Sequence, residues 1–100
     1  MKFKTKKGDV VEAMTFQELV EYGKNNGANI VNDMPWSFSL NGHPITHEND
    51  KCYLIPTPHL HDPREHTSRF TPDDMLVIGV IGELTPIPKM YFDDEYTPCA

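Results

Sequence analysis

Histidines and carboxylates gather in two short stretches of this chain, and those are the residues whose types and spacing suit chemistry. In His59-Leu60-His61-Asp62-Pro63-Arg64-Glu65-His66, extended backbone would place His59 and His61 on one face. Two imidazoles so placed can chelate zinc or another first-row transition metal, and Glu65 and His66 follow closely enough for a folded loop to complete a ligand set. The plainer alternative is a polar, solvent-facing loop that holds no cofactor.

The second stretch is His43, His47, Glu48 and Asp50. A histidine beside a carboxylate suits a general base and its orienting partner, whereas Asn49 and Asp50 also read simply as turn formers. Catalysis would need a nucleophile as well, and the sequence has no serine or cysteine nucleophile motif, no phosphate-cradling glycine loop and no helical His-Glu-x-x-His. These residues therefore read as a binding surface, in which Trp36, Asn41, His43, His47 and Glu48 are the candidates. Trp36 and Phe38 suit an interface, since tryptophan is enriched in binding hot spots. A lone tryptophan beside a hairpin also commonly anchors a core.

The elements that must position these residues are short. Thr15-Phe16-Gln17-Glu18 fits a capping box, and Phe16, Leu19, Val20 and Gly23 share one face, predicting a helix over about 15–26 that stops at Asn25-Asn26-Gly27. Strands are expected at 3–6 and 9–14 before it, and at 28–30 after it, with a loop at 32–35. Trp36-Ser37-Phe38-Ser39-Leu40 alternates, and Asn41-Gly42 is a strong two-residue hairpin turn leading into a return strand at 43–47. Pro44 predicts that this strand lies at an edge or carries a bulge. Residues 52–55 form another short strand, and 57–69 a surface excursion rich in proline and histidine. Asp74 to Ile87 read as a buried strand, a tight turn at Gly79 and Gly82, and a returning strand. Pro88 then starts a helical turn, and Tyr91, Phe92 and Tyr96 cover the sheet edge before a last strand at 95–97.

These segments carry a resemblance over nearly the whole length. Val10-Val11-Glu12-Ala13, the run from Asp73 through Ile78-Gly79-Val80-Ile81-Gly82-Glu83, then Pro88-Lys89-Met90-Tyr91-Phe92 and Tyr96 resemble a family of small tailed-bacteriophage proteins of unknown function. Pro35-Trp36-Ser37-Phe38 and Tyr53-Leu54-Ile55-Pro56-Thr57 are similar to the family's middle part. The chain departs from it at 58–68, where the histidine-rich excursion replaces a short turn, and at Ile87-Pro88-Lys89, which replaces Cys-Lys. The resemblance implies no catalytic residues.

Composition bounds the rest. One hundred residues with 38% apolar content suit a single domain, residues 1–100, with one modest core. Two cysteines, Cys52 and Cys99, make no disulfide framework. A formal charge of −6 disfavours nucleic acid, although Lys2, Lys4, Lys6 and Lys7 make the start basic. No segment suits a signal or a membrane span, so the expected location is the cytoplasm, the host's if the chain is phage-encoded.

The expectation is an α+β fold: a small bent antiparallel sheet or half-open barrel with one packed helix and a short C-terminal helical turn. Its expected role is that of a phage accessory protein that binds a host or phage protein without catalysis, for example as an inhibitor of a host enzyme or defence system. Self-association is a further expectation. The alternative is a small-molecule or nucleotide binder, or a metal-dependent enzyme using the histidines, with His59, His61 and His66 as ligands.

Overall fold

The capping box forms at the junction the sequence marks. Thr15 Oγ1 accepts from the Glu18 amide at 3.1 Å, and Glu18 Oε1 accepts from the Thr15 amide at 3.1 Å. These bonds satisfy amides that a helix start otherwise leaves open. They join β2 (Val10–Thr15), which pairs with β1 (Lys2–Thr5), to helix α1 (Phe16–Asn25). Phe16, Leu19, Val20 and Gly23 are its buried face. The computed structural model describes residues 1–57, 66–79 and 81–99.

After α1 the chain makes a tiny hairpin, β3 (Ile30–Val31) and β4 (Met34–Pro35), where only a loop was expected over 32–35. Asn32 and Asp33 both take left-handed backbone, φ 50° and 66°, which these two residue types tolerate better than most. Four strands follow: β5 (Ser37–Leu40), β6 (His43–Asn49), β7 (Cys52–Thr57) and β8 (His66–Phe70). They form one antiparallel sheet in sequence order. Asn41 and Gly42, at φ 52° and 80°, make the hairpin turn between β5 and β6 as expected.

The chain then returns to its first strands. β9 (Asp74–Ile78) pairs with β2, and β10 (Leu84–Pro88) folds back on β9 through the turn at Gly79 and Gly82. Helix α2 (Lys89–Glu95) leads to β11 (Tyr96–Pro98), which pairs with β1. The second sheet thus has five strands in the order β10-β9-β2-β1-β11.

Two expectations need correction, and a third holds in one of its two forms. The strands form separate sheets of five, four and two, so the fold is α+β but not one bent sheet or a half-open barrel. Part of the expected excursion at 57–69 is strand, because His66 to Phe70 pair with Thr57 to Tyr53. The strand carrying Pro44 is internal, between β5 and β7. Pro44 is accommodated because the β6–β7 register begins only at Thr46 opposite Leu54. Continued outward by two residues, the register would set Pro44 against Pro56, and neither can donate. The expected bulge is also present, between His47 and Asn49.

The five-stranded sheet is covered on both faces. On one side Leu76 and Leu84 join Phe16, Leu19, Val20, Phe38, Ile45, Tyr53, Ile55 and Phe70 in a core closed by α1 and the four-stranded sheet. On the other, Met75 and Val77 pack with Phe3, Ala13 and Phe92 beneath α2. Alternation along β9 sends neighbouring residues to opposite cores, which is why Met75-Leu76-Val77 is apolar without interruption.

Helix α1 approaches β4 and β5 at Gly23. A Cβ there would lie 2.8 Å from Pro35 Cβ and Cγ and 2.9 Å from Phe38 Cε1, closer than carbon atoms pack. Gly23→Ala should therefore destabilise the fold by about 1–3 kcal/mol despite alanine's higher helix propensity. Denaturant unfolding of the variant against wild type measures it, and an unchanged or raised midpoint would contradict the close approach.

Candidate docking surface around Trp36

The hairpin turn sets the register from which this surface is built. Counting outward from Asn41-Gly42, Leu40 faces His43, Phe38 faces Ile45, and the next such position sets Trp36 against His47. The His47 amide donates to the Trp36 carbonyl at 3.0 Å, and the Trp36 amide donates to the Asn29 carbonyl at 3.0 Å. The backbone of Trp36 is therefore tied to both β6 and the segment that opens β3.

The rings continue this row. The Trp36 indole stacks on the His47 imidazole with centroids 4.8 Å apart and planes 10° from parallel. His47 meets Tyr53, its partner on β7, nearly edge-on at 5.6 Å. Tyr53 in turn faces Phe70 on β8, and Phe16 touches both of these rings. Trp36 is 43% exposed, while the His47 side chain is only 6% exposed. The row runs from solvent into the core.

Polar contacts fix its orientation. His47 Nε2 lies 3.3 Å from Asp50 Oδ1 and donates to it. The Tyr53 hydroxyl donates to the Pro35 carbonyl at 2.7 Å. Burial pushes the Tyr53 phenol up to about 12, helped by the negative charge of Asp50.

Glu48 stands at the β6 bulge. Its carboxylate accepts from Cys52 Sγ at 3.0 Å and from Arg69 Nη2 at 3.3 Å. Burial first, then the bond to Glu48 and its charge, push the Cys52 thiol up to about 11 against the smaller pull of Arg69. Cys52 is thus held as a thiol at neutral pH, a poor nucleophile.

The sequence candidates therefore separate. Trp36, His47 and Glu48 gather at one end of β6. Asn41 and His43 lie at the other, roughly 13 Å of strand away. There His43 Nε2 donates to the Gly82 carbonyl at 3.1 Å and ties the exposed hairpin tip to the β9–β10 turn. Phe38 and Phe92 are core residues, whereas Tyr91 is exposed. His59 and His61 lie outside the described residues, and His66 is in β8 opposite Thr57. Among the described residues no three His, Cys, Asp or Glu side chains converge as a metal would require, and no helix is long and apolar enough to cross a membrane.

Sequence reasoning missed Tyr53, and it grouped Asp50 with the second histidine stretch while also reading it as a turn former. The register itself could have found Tyr53, because any residue opposite His47 on the next strand joins the row. Ile30 and Val31, on the strand that opens beside the Trp36 backbone, are also open to solvent.

Two titrations follow. Tyr53 and Cys52 have native pKa values above their ordinary 10.0 and 9.0. Above pH 9 the unfolded chain releases protons that the native state keeps, so stability is full below pH 9 and falls towards pH 12. The urea midpoint, followed stepwise into alkali, should drop through this window. Tyr53→Phe should flatten the upper part of the fall, and should cost about 1–3 kcal/mol at neutral pH by leaving the Pro35 carbonyl unmet.

No family model, curated protein or solved structure matches this chain, so the surface rests on its own geometry.

Proposed function

We propose that this protein is a non-enzymatic binding module that docks another protein on the surface around Trp36. The observation that supports this most is a partly exposed indole whose buried side is held flat by His47. Large rigid aromatics of this kind lose little conformational freedom on binding and dominate interface energies.

A role in proton transfer fits the geometry less well. The faces and edge of His47 are occupied by Trp36, Tyr53 and Asp50, leaving little room for a reacting atom. His47 serves to orient the indole. The resemblance to small phage proteins supports placing this module in a phage-infected cell, with a host or phage protein as its partner. Inhibition of a host enzyme or defence system is the use such a module suits.

Trp36 is the sole tryptophan of the chain, so its fluorescence reports directly on the surface. Immobilised protein should retain a partner from bacterial lysate, identified by mass spectrometry. Adding the purified partner should shift Trp36 emission. Trp36→Ala should weaken retention about tenfold or more, whereas His43→Ala, at the far end of β6, should leave it unchanged. Equal capture by Trp36→Ala would refute the reading.

A further inference from the structure

The five-stranded sheet protects both its free edges with proline. In the β9–β10 ladder the Gly79 amide donates to Glu83 and the Lys89 amide to Asp73. That phase turns the nitrogens of Pro86 and Pro88 to the open side of β10. In the β1–β11 ladder the Cys99 amide donates to Lys2, which turns the nitrogen of Pro98 to the open side of β11. Each proline removes an amide that another strand could have captured. At the far edge of the four-stranded sheet, β8 carries the charged Arg69.

The edge at β5 has neither device. The bond from the His47 amide to Trp36 fixes the ladder phase, so Phe38 and Leu40 bond to β6 while Ser37 and Ser39 point their amides and carbonyls outward. Both serines are exposed, and among the described residues nothing pairs with that side of β5. From Pro35 through Gly42 the sequence has no ionisable side chain.

We propose that the β5 edge is a self-pairing site, on which a second copy of the chain adds its own β5 antiparallel, centred on Phe38. Ser37 of one copy then faces Ser39 of the other, and every outward amide and carbonyl of one strand meets its complement. No other centre on β5 satisfies both serines at once. Charge selects the same surface. A chain of net charge −6 repels its copy over most contacts, and this uncharged stretch brings no acid against acid. In this register Trp36 falls opposite Leu40 of the other copy, whose side chain is already buried in its own core, so the pairing rests on the backbone ladder. The two four-stranded sheets become one continuous sheet carrying two Trp36 stacks, roughly 13 Å apart along the strands. This inference is independent of a docking partner, since a monomer could still bind through Trp36.

Sedimentation velocity of the full chain, up to about 1 mM, tests it. Wild type should show a concentration-dependent dimer. Ser39→Pro removes one outward amide per copy and should raise the dissociation constant about tenfold. Ser37→Lys with Ser39→Lys, which sets like charges across the two-fold axis, should leave a monomer. Circular dichroism should show both variants folded, since both side chains are exposed. A wild type that stays monomeric throughout overturns the proposal, as does a dimer that persists unchanged in the folded double-lysine variant.

Discussion

One hydroxyl holds the candidate surface in place. Tyr53 is fully buried, and a buried hydroxyl without a partner is costly, so its bond to the Pro35 carbonyl is obligatory rather than incidental. That bond ties β7 to β4 across a stretch in which the chain changes sheets. Pro35 in turn presses on Gly23 of α1, and Trp36 is the next residue along. Helix, ribbon and four-stranded sheet therefore meet at one carbonyl, and the attitude of the exposed indole follows from it.

The same arrangement explains why His47 is on β6. A ring at that position must bridge an exposed indole and a buried phenol, with one edge near water. Imidazole does so because its flat face stacks on Trp36 while its Nε2 reaches Asp50 at the turn. A purely apolar ring would fill the space without the polar tether, and a longer polar chain would not stack.

Local signals in the sequence were faithful where the physics is local. The capping box at Thr15, the Asn41-Gly42 turn and the hairpin around Gly79 and Gly82 each depend on a few adjacent residues, and each stands where expected. What depends on distant pairing was hidden. Over 67–70 strand β8 buries one large residue, Phe70, and its place as a strand follows from its ladder with β7. The separation of the five-stranded from the four-stranded sheet depends on β9 passing β8 to pair with β2, which no local pattern records. The candidate surface was half legible: Trp36 and His47 stood out by type, and the turn register brings them together. Tyr53 reads from sequence only as part of a short buried strand, and its hydroxyl partner Pro35 lies in β4, where the sequence predicts a loop.

The strand order also governs the sequence of assembly. Strands β5 to β8 are consecutive neighbours, so their sheet closes through hairpins and one longer connection as the chain lengthens. The five-stranded sheet instead unites β1 and β2 with β9, β10 and β11, which leave the ribosome well after them. Until then Phe3, Val11 and Ala13 wait with unsatisfied ladders and bare apolar faces. Closing so large a loop is entropically slow, so pairing of β2 with β9 is the contact that this topology makes hardest to form.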